Sequence, residues 1–384
     1  MKILYISPSL PNDFSRIRTK NIINSLLNDG NSVSLVSLTT EKDYKLRDEN
    51  LLKKLNDVKI FKQSKLTSIL NCFLNLFLPI SLQEAYVNNR KLHKYLKKCN
   101  KEYDLIYIKR LRMAQYAKYF DDKKVIIDLT DSLTKYYERV SKKVNGLKKI
   151  LNLEEYFKHK ISEKRVVNKY KSVVCSNEEK KYLINKLGCN VNNIYVVENL
   201  IDFDLWDVSF NIKKLKEKNK LVFSGMMDYD PNIIAVNYFA KNVLDKLDSK
   251  YELYVIGKNK SKELISNKKI KYIGYVESMR DELSKYDIYV CPIIAGSGVK
   301  NKILQAMSVG LPIVSTKLGV EGLNKECKKY IYVVNDNFDF LNAIDKINNL
   351  SDLEFEKLIK EQKDCIKKSY DISVAAKKIR GIMK

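Results

Sequence analysis

Residues 291–322, CPIIAGSGVKNKILQAMSVGLPIVSTKLGVEG, decide the fold. In order they set down a strand end, a glycine turn with two lysines, an amphipathic helix and another strand. Gly296, Ser297 and Gly298 allow a sharp turn with exposed amides, and the next helix aims unpaired N–H groups and a positive dipole end at the same place. Lys300 and Lys302 add two full charges there, which suits a diphosphate far better than a neutral ligand. An ordinary strand, turn and helix with solvated lysines fits this segment alone equally well. In the helix, Ile303, Leu304, Met307 and Val309 form the apolar side, while Gly310 and Pro312 end it. Gln305 stands one turn inside, either within reach of a ligand hydroxyl or simply exposed.

Outward from this stretch, strand and helix patterns alternate along the chain, the signature of parallel sheets covered on both faces. The first seven strands are expected at Lys2–Ser7, Ser32–Leu38, Val58–Phe61, Leu105–Ile108, Val125–Leu129, Ser172–Ser176 and Ile194–Val197. Six more are expected at Leu221–Ser224, Glu252–Ile256, Ile270–Ile273, Ile288–Cys291, Pro312–Ser315 and Ile331–Val333. The link NLIDFDLWDVSFN divides them into an α/β first domain over residues 1–205 and a second over 206–369, with a last helix, about 370–384, crossing back onto the first. Two Rossmann-like doubly wound domains facing across a cleft place ligands beyond the carboxyl ends of their strands. The first strand–helix turn, SPSLPNDFSRIRTK, lacks a Gly-x-Gly-x-x-Gly pattern, which counts against a dinucleotide-dependent dehydrogenase. Its polar lip of Asn12, Asp13, Ser15, Arg16 and Arg18 fits acceptor binding and helix capping equally.

Composition narrows the classes. The chain has 384 residues and a formal charge of +25; residues 1–200 hold 39 Lys and Arg against 21 Asp and Glu, so the first half carries most of the excess. Such an excess attracts nucleic acid, an anionic membrane face or an acidic substrate, and a Lys-, Asn-, Ile- and Tyr-rich coding bias produces it as well. The 25 tyrosines form no recognisable platform, so nucleic acid is not an expected partner. The opening MKILYIS is already a strand, and no apolar run reaches a membrane span, so a cytoplasmic protein is expected. Seven scattered cysteines argue against disulfides and zinc and point to reduced core residues. Only His93 and His159 occur, each in a lysine-rich helical pattern, and neither is a promising base.

Four pieces, LVFSGMMDYDPN (Leu221–Asn232), YIGYV (Tyr272–Val276), DIYVCPI with its continuation to VST, and GVEG (Gly319–Gly322), resemble the retaining glycosyltransferases of family 4, of GT-B architecture. The nearest likeness is to a bacterial exopolysaccharide-type branch. The resemblance implies a sugar transferred from a nucleotide-sugar donor, UDP- or GDP-linked, to a glycan or lipid-linked acceptor in cell-surface polysaccharide synthesis. It implies that Gly225 borders the diphosphate, Gly274, Tyr275 and Val276 meet the base, Ser297, Gly298 and Val299 hold sugar and phosphate, and Gln305 faces the ribose. Lys300 or Lys302 stabilises the leaving diphosphate, where negative charge accumulates in the transition state, and no metal or other cofactor is then required.

The pattern departs from the family at two places usually held by glutamate, here Ser297 and Gln305. A neutral amide holds a ribose diol less firmly than a carboxylate. Met226, Met227 and Asp228 stand where the family often has Arg and Lys, which leaves the two lysines as the main cations. A GT-B-like protein that binds nucleotide sugar or glycan without turnover is the competing reading. On the acceptor side Asp131 is the candidate for orienting a hydroxyl, with Asp128 and Asp13 behind it; N-capping of the helix at Ser132 is the alternative for Asp131. Leu66–Leu82, LTSILNCFLNLFLPISL, is the most apolar stretch and fits either a helix resting on an anionic membrane surface or a buried helix.

Overall fold

The computed structural model describes residues 1–12, 16–76, 78–99, 103–142, 144–208, 218–258, 261–296 and 301–383. The chain divides into two compact units, Met1–Leu200 with Ile372–Lys384, and Ile201–Asp371.

The first unit is built on a parallel sheet of β1 (Lys2–Ser7), β2 (Ser32–Thr39), β3 (Asp57–Lys62), β4 (Leu105–Lys109), β5 (Val125–Thr130), β6 (Lys171–Val174) and β7 (Ile194–Val196). Their order is β3-β2-β1-β4-β5-β6-β7, so the winding reverses between β1 and β4, the place where doubly wound sheets bind ligands. All of β4 and β5 is buried, as a sheet covered on both faces requires. Alternate residues of one strand feed opposite cores: Leu4 and Ile6 pack with Ile106 and Ile127, whereas Ile3 and Tyr5 pack with Val33 and Tyr107. The helices are α1 (Ile17–Asn28), α2 (Glu41–Lys45), α3 (Glu49–Lys53), α4 (Lys65–Leu74), α5 (Leu82–Tyr86), α6 (Arg90–Leu96), α7 (Leu133–Ser141), α8 (Gly146–Lys169) and α9 (Asn177–Leu187).

The second unit repeats the plan with β8 (Lys220–Ser224), β9 (Glu252–Ile256), β10 (Ile270–Gly274), β11 (Ile288–Cys291), β12 (Ile313–Thr316) and β13 (Tyr332–Val334), in the order β10-β9-β8-β11-β12-β13. Around it lie α10 (Phe203–Trp206), α11 (Asp230–Asn242), α12 (Met279–Leu283), α13 (Asn301–Val309), α14 (Lys325–Lys328), α15 (Asn337–Asn348) and α16 (Asp352–Tyr370). Phe223, Phe239, Tyr289 and Phe340 anchor its core. The last helix, α17 (Ile372–Met383), belongs to the first unit: Ala375, Ile379 and Ile382 enter that core, and the Ser25 hydroxyl, which donates to the Ile372 carbonyl, accepts from Ala376 N at 2.9 Å.

Two expectations are corrected. Cys327 on α14 and Cys365 on α16 form a disulfide, with Cα atoms 5.7 Å apart, because those helices pack together although 38 residues separate the two cysteines. Of the other five, Cys175, Cys189 and Cys291 are buried thiols, but Cys72 and Cys99 are only half-buried. The apolar Leu66–Leu82 stretch is not a buried helix. Asn75 caps α4 after ten residues, and within α4 only Ser68 is buried while Leu66 and Phe73 are 82% and 73% exposed. Among the described residues no helix is long and apolar enough to cross a membrane.

Candidate functional site

At the carboxyl edge of the second sheet, three neighbouring strands end on glycine. Gly225 follows β8, Gly257 follows β9 and Gly274 closes β10. Their backbones are stitched together: Gly225 N donates to Ile256 O at 2.9 Å and Gly257 N to Gly274 O at 2.7 Å. The approach leaves no room for side chains, since a Cβ on Gly257 would stand 1.7 Å from the Gly225 carbonyl oxygen. A Cβ on Gly225 would stand 2.6 Å from Asn232 Nδ2 and 2.9 Å from Lys302 Nζ. Gly225 is therefore the floor on which those two side chains lie.

Two helices begin above that floor. Asn232 and Pro231 belong to the first turn of α11, and Lys302 belongs to the first turn of α13. Gly296, at φ +103°, lies against Pro231, which brings the start of the glycine turn to the α11 end. Lys302 Nζ donates to Asn232 Oδ1 at 2.7 Å and sits 4.1 Å from the centre of the Phe223 ring. Asn232 Nδ2 donates to the Met226 carbonyl at 2.8 Å, which fixes the amide's orientation. An ammonium group, a side-chain amide and the first turns of two helices thus converge beyond the end of β8, a chemistry that accepts an anion. Next to it Tyr275 is 51% exposed with Lys258 Nζ 4.0 Å from its ring centre, and Val276 packs against the core. Gln305 is half-buried one turn along α13. The GVEG loop is seated by Gly319 N donating to Thr316 Oγ1 at 3.0 Å.

The structure accordingly brings Gly225, Gly274 and Lys302 to one edge. Ser297, Gly298, Val299 and Lys300, and on the acceptor side Asp13, lie outside the described residues. Asn232 and Gly257 were not singled out in the sequence, although a glycine directly after a buried strand was a readable signal for Gly257.

The first unit gathers charge at the corresponding edge of its own sheet. Asp128, at the end of β5, is fully buried. Its Oδ2 accepts from Arg18 Nε at 3.1 Å, Lys109 Nζ at 2.9 Å and the Tyr107 hydroxyl at 2.9 Å. Arg18 donates further to the carbonyls of Glu198 at 2.6 Å and Val197 at 2.8 Å. Burial opposes the Asp128 charge, yet Arg18 and Lys109 prevail and hold its carboxyl well below the usual carboxylate range. Burial pushes Lys109 down to about 7, against the pull of Asp128. Arg18 and Asp128, read from the sequence as acceptor contacts, have both side chains enclosed in an ion cluster that ties α1 to β4, β5 and the end of the sheet.

Of the other acceptor candidates, Arg16 and Asp131 are half-buried. Arg16 precedes α1 half-buried, with Nε donating to Ser9 Oγ at 2.6 Å. Arg110 and Arg112 follow β4, and burial, then the neighbouring guanidinium groups of Arg110 and Arg16, lower Arg112 to about 10. Arg110 at φ +75° and Thr130 at φ +69° hold left-handed backbone at the ends of adjacent strands, a strain of about 1–3 kcal/mol each that clusters at functional sites. Asp131 is half-buried and accepts from the Cys175 thiol at 2.9 Å. It does not cap α7; Ser132 does, its Oγ accepting from Lys135 N at 3.1 Å. His93 is held by Tyr119 and Asn88, and His159 is buried beside Glu155 and stacked on Tyr137.

Comparison with known proteins follows the same lines. The sequence model of the family described as "Glycosyl transferases group 1" matches residues 218–349, which span β8 to α15 and the whole glycine edge. No curated protein matches the chain. Among solved structures, Anabaena HepE in complex with UDP is 14% identical, with a TM-score of 0.66 and 99% of each chain covered. Sucrose-phosphate synthase from Thermosynechococcus elongatus is 13% identical, with a TM-score of 0.70 over 100% of this chain and 98% of that one. S. aureus TarM, in complex with UDP, α-GlcNAc-glycerol and fondaparinux, is 12% identical, with a TM-score of 0.69 and 100% of both chains covered. The two-sheet α/β fold is the GT-B fold of these glycosyltransferase structures.

Proposed function

We propose that the chain is a retaining glycosyltransferase of the family 4 type, which moves a sugar from a nucleotide-sugar donor to a glycan or lipid-linked acceptor in cytoplasmic steps of polysaccharide synthesis. The observation that carries this reading is the Lys302 ammonium, held by Asn232 above Gly225 where three strands and two helix starts converge. When the bond from the sugar's anomeric carbon to the diphosphate breaks, the electron pair leaves with the diphosphate. A fixed cation and helix-terminal amides there stabilise the transition state more than the ground state. The acceptor hydroxyl then forms the new bond on the face the diphosphate left and gives its proton to the departing diphosphate oxygen, Asp131 orients it, and Arg16, Arg110 and Arg112 supply a cationic lip. Further support comes from the family match over residues 218–349 and from the UDP named with HepE and TarM.

A thermal-shift screen of UDP-, GDP- and ADP-sugars, followed by assay of nucleoside-diphosphate release with and without EDTA, tests the reading. One donor class should raise the melting temperature and be turned over equally with EDTA present, and Lys302→Ala should lower kcat at least about a hundredfold. Binding without release in the presence of diverse glycan acceptors would leave a nucleotide-sugar-binding protein, as Ser297 and Gln305 in place of glutamates would permit. Stabilisation by none of the three would overturn both.

A further inference from the structure

We propose that the outward apolar stripes of α4 and α8 dock the first unit on an anionic lipid surface. On α4, Leu66, Ile69, Leu70 and Phe73 fall at helical spacing along one side, and that side faces outward at 82, 63, 56 and 73% exposure. On α8, Leu147, Ile150, Leu151, Phe157 and Ile161 make a second outward stripe at 72, 63, 43, 58 and 55%. Up to Glu163 the side of α8 turned to the protein is the polar one, and only Val166 and Val167 beyond it enter the core. Glu163 accepts there from the Ser132 and Thr134 hydroxyls at 2.7 and 2.6 Å, Ser162 donates to Glu84 at 2.9 Å, and His159 and Glu155 are buried with them. An amphipathic helix in contact with water alone turns the opposite way. The chain that follows α4 is tied to α8, where Lys158 Nζ donates to the Leu76 carbonyl at 2.5 Å and Leu82 N, at the start of α5, donates to Glu155 Oε1 at 3.1 Å.

Two outward apolar stripes of this length are not ordinary soluble surface. Charge selects its occupant. Exposed Lys62 ends β3 and exposed Lys65 opens α4, and exposed Lys148 and Lys149 stand in the first turn of α8. The unit around them is strongly basic. A second copy of the chain on this face would set the same lysines against one another, whereas an anionic bilayer accepts both the apolar stripes and the basic rim. The donor residues belong to the other unit, so docking is measurable apart from sugar transfer.

The test is sedimentation of the full chain with vesicles of phosphatidylcholine, with and without phosphatidylglycerol. The chain should bind the mixed vesicles, bind pure phosphatidylcholine far less, and lose binding with added salt. Ile69→Glu with Phe73→Glu, and separately Ile150→Glu with Phe157→Glu, should each lower partitioning at least about tenfold with melting temperature and donor-induced shift unchanged, because these side chains are exposed. Lys148→Glu with Lys149→Glu should weaken only the anionic component. Binding unaffected by the glutamate pairs, or a wild type that ignores both vesicles, overturns the proposal. A wild-type dimer that becomes monomeric in the Phe73→Glu chain, without vesicle binding, gives the face to a second copy and also overturns it.

Discussion

Lys302 and Lys109 show how differently two lysines at strand ends are used. Lys302 is half-buried, propped by an amide and an aromatic face with its charge turned toward the glycine floor. Lys109 is enclosed, its Nζ donating to Asp128 and, at 2.7 Å, to Thr130 Oγ1. Its folded value of about 7 lies below its ordinary 10.5. Between those values the unfolded chain binds more protons than the folded one, so the Lys109 contribution to stability rises with pH through that window and is most unfavourable below it. The stability of the wild type relative to Lys109→Met is therefore expected to rise by about 1 kcal/mol per pH unit from about pH 7 to 10, measured by urea unfolding. A flat difference would show the amine charged throughout. The sequence pointed to Asp128 as a carboxylate at a strand end, but its partners Arg18 and Lys109 lie 110 and 19 residues away, and only the register of β4 beside β5 reveals that it is sealed.

At the scale of elements, the strands were legible because each is a short apolar run bounded by turn residues, and strand pairing then follows from right-handed crossovers. The glycines ending β8 and β10 were legible for the same reason, and Gly257 carries the sharpest test of the site's construction. Gly257→Ala puts a methyl group into a backbone carbonyl that no rotamer change can relieve, so a loss of about 3 kcal/mol or more and a weakened donor shift are expected by thermal melting. Gly381→Ala, on α17 with nothing within 4 Å of its new methyl, should instead be neutral or stabilising by up to about 1 kcal/mol. Two features escaped the pattern. From Leu147 to Glu163 the α8 helix is apolar outside and polar inside, so only Val166 and Val167 near its end face the core, and the Cys327–Cys365 pair is made adjacent only by packing of α14 on α16.

Across the whole molecule, two sheets of one plan carry different surfaces. The first unit is the more basic and bears the exposed apolar stripes of α4 and α8 and the arginines that flank β4; the second gathers glycines and the Lys302 ammonium at its strand ends. This division matches a donor bound by one unit and an acceptor met by the other, which is the reading proposed above. Its central claim is that the second sheet's carboxyl edge seats a nucleoside diphosphate against Lys302. Calorimetric titration of UDP, GDP and ADP into the wild type and into Lys302→Ala tests that claim most directly. One diphosphate should bind the wild type, and the variant, folded to the same melting temperature, should bind it at least about tenfold more weakly. Equal affinity in the two proteins, or no binding of any of the three to the wild type, would contradict it.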